Sequence, residues 1–242
     1  MTSRVADESQ RRWAKVVGVT YLFAFIPAIF AEFYVPGRLI VSNNAAQTAL
    51  NIAAHERLFR LGVAANLIVF ANDVVLITAL YVVLERVNRN LALLAAFFRL
   101  IETMILIVAA LNDFDVLRLL SGADYLLSFG PERLQALARL SIGAHGAVYN
   151  VSFLFFGIGS PIFCYLWLES GYVPRALAAF GVFASLLVGA CALAFIVFPE
   201  AANVVTIGYY GGPIFVFELA MGLWLVFKGI RSAPVPPVPA AA

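Results

Sequence analysis

Apolar residues in this chain gather into six runs of roughly 20 residues, separated by connections that hold most of the charge. The runs cover about 14–35, 61–84, 92–114, 144–168, 175–198 and 207–228. At about 1.5 Å of rise per residue, a helix of that length crosses the hydrocarbon core of a bilayer. A lone segment in lipid must satisfy its own backbone hydrogen bonds, so each run is expected to be α-helical. The pattern predicts an all-α polytopic membrane protein, a bundle of six transmembrane helices forming one domain over residues 1–232. The lipid bilayer is its first partner. Residues 233–242 hold four prolines and are expected to be a disordered tail.

Two connections are long enough to hold structure of their own. Ser42–Arg60 offers an N-cap at Ser42, with Ala49, Leu50, Ile52 and Ala53 set among polar residues. Pro131–Ile142 places Leu134, Leu137, Ala138 and Leu140 at helical spacing against Glu132, Arg133, Gln135 and Arg139. Both read as short amphipathic helices on the outer interface. Arg11, Arg12 and Lys15 precede the first run, which is longer than a secretory signal and has no small-residue cleavage site, so it reads as a retained span.

Composition agrees with the pattern. The chain is 63% hydrophobic and 12% charged, whereas a soluble domain is about a quarter charged. A net charge of +2 with no basic stripe gives no reason to expect a nucleic-acid partner. Cys164 and Cys191 lie at different depths and form no CxxC, so neither a disulfide nor a zinc site is expected. No cofactor or metal site is implied.

Lysine and arginine set the orientation. With the N-terminus inside, the inner side carries Arg4, Arg11, Arg12, Lys15, Arg86, Arg89, Arg175, Lys228 and Arg231. The outer side carries Arg38, Arg57, Arg60, Arg118, Arg133 and Arg139. Nine against six favours both termini in the cytoplasm.

The candidate chemistry is a set of charges where charges are expensive. Asp73 interrupts the second run, Arg99 and Glu102 the third, and Glu218 the sixth. Each costs about 2.5–3.5 kcal/mol to insert at mid-bilayer. Counting residues from the inner ends puts all four near the midplane, with Arg99 one turn from Glu102 on the same face. Arg99 is expected to be a hub, bridging Glu218 across helices and Glu102 locally. Three acids against one base leave a deficit, so an acid carries a proton or the cluster holds a cation. Above this layer Asn66, Asp113, His145 and Asn150 suggest a polar path to the outer face.

Small residues are the usual glue between membrane helices. Gly181, Ser185 and Gly189 form one such stripe, read as the face through which two copies could pair. Pro27 and Pro161 are expected to kink their helices.

Lys15-Val16-Val17-Gly18-Val19-Thr20-Tyr21, Phe98-Arg99-Leu100-Ile101-Glu102, Gly171-Tyr172-Val173-Pro174-Arg175 and Phe217-Glu218-Leu219 with Gly222-Leu223-Trp224-Leu225 form a recurring set. On these residues nearly the whole chain resembles the bacterial membrane proteins grouped as domain of unknown function 4386. The resemblance implies a six-helix integral membrane protein and implies no activity; the bacterial cytoplasmic (inner) membrane is the expected location.

The leading expectation is a small carrier or sensor that binds a small polar solute, ion or proton at Asp73, Arg99, Glu102 and Glu218. One alternative is a structural or accessory subunit in which these charges only clamp helices. Another is an outer-side membrane enzyme using His145, Asp113 and Asp115, which lacks a recognisable nucleophile–base pair. No residue is assigned a catalytic role.

Overall fold

A computed structural model describes residues 8–231; the expected tail at 233–242 and Arg4 lie outside the described residues. Every regular element among the described residues is helical. Helix α1 spans Glu8–Ile29 and passes through a π-helical turn, Phe30–Tyr34, into α2, Val35–Leu39. Next come α3 (Ala45–Ala54), α4 (Glu56–Leu119), α5 (Pro131–Ser170), α6 (Arg175–Val197) and α7 (Ile207–Phe227). Short 3-10 turns at Asp124–Phe129 and Pro199–Asn203 precede α5 and α7. Five helical segments are long and apolar enough to cross a membrane: Glu8–Leu39, α4, α5, α6 and α7. The chain has the make-up of a multi-pass membrane protein.

The 64 residues of α4 are not one straight rod. Asn88 has extended backbone angles (φ −155°, ψ 103°), and its side-chain oxygen accepts from Leu91 N–H at 3.1 Å, capping the helical stretch that starts there. The chain doubles back at this point. Leu76, Leu80 and Val83 before the break share one core with Ala92 and Ala95 after it. Farther along, Phe59, Val63 and Phe70 share a second core with Leu106, Ala110 and Leu117. The first arm, 56–87, and the second arm, 89–119, therefore lie side by side.

The first core closes the end of the bundle at which both described termini lie. Gln10 Nε2 donates to Val83 O at 3.1 Å, and Arg231 N–H donates to Tyr172 O at 2.9 Å. The second core closes the far end, where Leu39, Ile52 and Ala138 meet the outer ends of the α4 arms.

Two local expectations are corrected. The cap of α3 is Asn44, not Ser42: Asn44 Oδ1 accepts from Gln47 N–H at 2.9 Å, with Asn43 turned to φ 59° just before it. The segment Pro131–Ile142 is no separate interfacial helix. It is the start of α5, which runs unbroken from Pro131, a residue suited to a first helical position, to Ser170. Gly143 and Gly146 do not break it, since glycine lowers helix propensity without removing a hydrogen bond. Pro27 and Pro161 both sit inside continuous helix. Proline lacks the N–H that would bond the carbonyl one turn back, and α1 loosens into the π-helical turn just beyond Pro27.

Small residues set the closest approaches. A Cβ on Gly157 would overlap the Gly189 backbone, so α5 and α6 touch backbone to backbone. A Cβ on Gly181 would run into the ring of Phe217 and the sulfur of Cys164. Ser185 is wholly buried, with Cys164 Sγ 4.0 Å from its hydroxyl. The stripe Gly181, Ser185, Gly189 is thus used within one chain. Helices of the same chain cover these three residues. Both cysteines are free.

Gly157→Ala is expected to lower stability in detergent by about 1–3 kcal/mol, the usual cost of overpacking. Gly146→Ala, where a Cβ meets nothing within 4 Å, is expected to be neutral or slightly stabilising. Thermal unfolding of the two purified variants checks the contrast.

Candidate functional site

The site lies beside the contact of α1 with α7. Toward the terminal end these helices are pressed together: a Cβ on Gly18 would stand 2.9 Å from Gly222 O. One step farther out, Phe25 and Phe215 meet with ring centroids 4.6 Å apart. Around and beyond this contact lies a cavity of about 590 Å³, lined by residues of α1, both arms of α4, α5, α6 and α7.

Asp73, Arg99, Glu102 and Glu218 all line this cavity. Asp73 comes from the first arm of α4, Arg99 and Glu102 from the second, and Glu218 from α7, so three separately fixed backbones deliver them. Arg99 can lie against α5 because Gly159 leaves room, where a Cβ would be 3.0 Å from both Arg99 Cγ and Ala95 O.

Arg99 Nη1 lies 2.7 Å from Glu102 Oε2, one turn along the same helix, and both side chains are buried. Neither atom has an aligned hydrogen-bond partner, so the contact is a charge pair rather than a hydrogen-bonded fork. The guanidinium also sits 4.5 Å from the ring centre of Phe156 on α5. The expected bridge from Arg99 to Glu218 is not formed: among the described residues, no ion pair within 4.0 Å joins them. Arg99 turns to its near neighbour Glu102 and to an aromatic face, and Asp73 and Glu218 face the cavity with no ion-pair or hydrogen-bond partner among the described residues.

Farther out stands a second cluster, built around a residue absent from the sequence-based candidates. Glu32, in the π-helical turn, accepts from Asn66 Nδ2 and from Tyr149 OH, each at 2.7 Å on Oε1. Its Oε2 lies 3.4 Å from His145 Nε2, and His145 Nδ1 lies 3.4 Å from Asp113 Oδ1. The ring stacks on Tyr149 with centroids 4.7 Å apart. The imidazole can donate to both carboxylates only when both nitrogens carry protons. A π-helical turn inside a longer helix often marks a functional position. The signal for Glu32 was present, an acid inside the run 14–35. Its place near the end of the run makes it look like an interfacial residue.

Of the expected polar path, Asn66 lines both the main cavity and a smaller one of about 220 Å³ farther out. Glu32 also lines both, and Asp113 and His145 line only the smaller. Glu32 and Asn66, joined by their hydrogen bond, therefore form the partition between the two spaces. Asn150 lines neither. Asp115 pairs with Arg118 at 3.2 Å on an exposed surface, so it does not assemble with His145 and Asp113.

A family model described as Domain of unknown function (DUF4386) matches residues 16–229. The chain belongs to the DUF4386 family. No curated protein and no solved structure matches it. The DUF4386 match contains every residue that lines either cavity, so both spaces belong to the family's own helical domain. No group of three or more His, Cys, Asp or Glu side chains among the described residues is arranged to hold a metal ion.

In this DUF4386 protein, Tyr149→Phe removes one donor to Glu32 and is expected to cost about 1 kcal/mol. Glu32→Ala strands Asn66, Tyr149 and His145 together and is expected to cost about 1–3 kcal/mol. The double variant should cost less than the sum of the two, by about 0.5 kcal/mol or more. Thermal unfolding in detergent gives all three values.

Proposed function

We propose that this protein is a small carrier or sensor of the bacterial inner membrane, binding a small polar solute, ion or proton at a charged layer near the bilayer midplane. The observation that carries the reading is that Asp73, Arg99, Glu102 and Glu218, from separate helical arms, line one cavity of about 590 Å³. That volume lies in the range of small-molecule sites.

A helix clamp makes a different arrangement. A clamp needs opposite charges bonded across helices in a closed, dry contact. The one close pair in this layer, Arg99 with Glu102, lies within a single helix and cannot fix two helices against each other. The two remaining acids look into open space. An outer-side enzyme has less support, since Asp115 is turned away toward Arg118.

We read α4 as two crossings joined at Asn88, which gives six in all. An even count accords with Gln10 and Arg231 lying at one end of the bundle. That end carries Arg11, Arg12, Lys15, Arg86, Arg89, Arg175, Lys228 and Arg231, and the positive-inside rule puts it in the cytoplasm.

Two measurements test this reading. A green fluorescent protein fused to the C-terminus should fluoresce, and alkaline phosphatase fused there should stay inactive; the reverse pattern contradicts the orientation. Glu218→Gln should keep its folded yield and lose pH-dependent binding or transport. A folded Glu218→Gln protein with unchanged behaviour across pH would contradict the carrier or sensor reading.

A further inference from the structure

The geometry points to an organic cation with an apolar body as the occupant of the main cavity: an ammonium- or phosphonium-type charge seated between Asp73 and Glu218, with its hydrocarbon against the aromatic walls. This rests on the reading of the cavity as a binding site and adds the class of ligand.

Charge is the first argument. Among the described residues, Arg99 is the sole basic side chain lining the space, and its charge is met by Glu102 at 2.7 Å and by the face of Phe156. Glu32 is engaged by Asn66 and Tyr149 and faces His145. Asp73 and Glu218 are left with no hydrogen bond or ion pair among the described residues, and both line the cavity. An anion would approach these two carboxylates with only a neutralised arginine to receive it. A cation completes them.

The walls are the second argument. Phe25, Phe70, Phe153, Phe156, Phe215 and Tyr210 ring the space. Aromatic faces attract cations and present apolar surface in the same side chain, which suits a charge carried on a hydrocarbon frame. A bare metal cation fits poorly. It requires about six or more oxygen ligands at close range, and a cavity of about 590 Å³ with mostly apolar walls does not supply them. A proton needs no such volume.

The rim is the third. Ile29, Phe33, Ile207 and Phe215 line the cavity and are 40–55% exposed on the outer surface of the bundle. These side chains line the cavity and also present apolar surface to what would be lipid in a membrane, which suits a ligand with a hydrocarbon body.

Tetraphenylphosphonium and tetraphenylborate give a direct test, since they share a shape and differ in the sign of charge. Isothermal titration of the full chain in detergent should show saturable binding of tetraphenylphosphonium and none of tetraphenylborate above the micelle background. Asp73→Asn and Glu218→Gln should each weaken tetraphenylphosphonium binding at least tenfold while unfolding at a temperature close to the parent's. Equal or tighter binding of tetraphenylborate overturns the cationic class and leaves the cavity as a site. Binding of neither ion overturns the organic-cation proposal, and the site reading then stands or falls on the pH dependence lost in Glu218→Gln. Because the two ions are compared on the parent chain, the sign of the preferred charge is decided even where a variant fails to fold.

Discussion

Charge buried in a hydrocarbon setting must be balanced, and in this protein Arg99 is paired with Glu102 while Asp73 and Glu218 have no close ion-pair partner among the described residues. The character of the cavity stems from that imbalance. Arg99 is paired within its own helix, and its contact with a neighbouring helix is to the ring of Phe156 rather than to an opposite charge. The bundle is held instead by small residues at close approaches, Gly157 on Gly189 and Gly18 on Gly222, where dispersion supplies the attraction that ion pairs supply elsewhere. Freed from a structural duty, the two acids can face open space.

The same close approaches bound the cavity. Gly18 on Gly222, with Phe25 on Phe215 as the next contact, joins α1 to α7 along one of its walls. At the far end Glu32 gathers Asn66, Tyr149 and His145, tying α1 to α4 and α5 and closing the space from above. Its position in a π-helical turn fits this task, because the extra residue in the turn re-aims the side chain across the bundle.

Much of this architecture was legible in the sequence. Hydropathy marks the long apolar helices because lipid imposes length and composition, and counting along them pointed to Asp73, Glu102 and Glu218 as neighbours, which line one cavity. Depth, however, does not give rotation or tilt. The bridge expected between Arg99 and Glu218 failed for that reason: equal depth brought both to one cavity, and the rotamer of Arg99 turned it to Glu102. The stripe Gly181, Ser185, Gly189 showed that something packs closely there, and only the fold shows that the partners are Gly157, Cys164 and Phe217 of the same chain. The break at Asn88 falls inside the connection 85–91 between the second and third apolar runs, so hydropathy located it, and the backbone angles add only how it is made. The continuation of α5 back to Pro131 was hidden because polar residues at helical spacing look alike on an interface and on the exposed stretch of a long helix.

The central claim is that Asp73 and Glu218 stand unpaired in an accessible cavity, whereas Glu102 is held by Arg99. Dicyclohexylcarbodiimide, an apolar reagent that adds to carboxyl groups, tests this on the folded protein in detergent, with peptide mass spectrometry locating the adducts. The account predicts adducts on Glu218 and Asp73, few on Glu102 beside Arg99, and protection of the first two by excess tetraphenylphosphonium. Folded protein without adducts at Glu218 and Asp73, when the unfolded chain reacts at both, would contradict it.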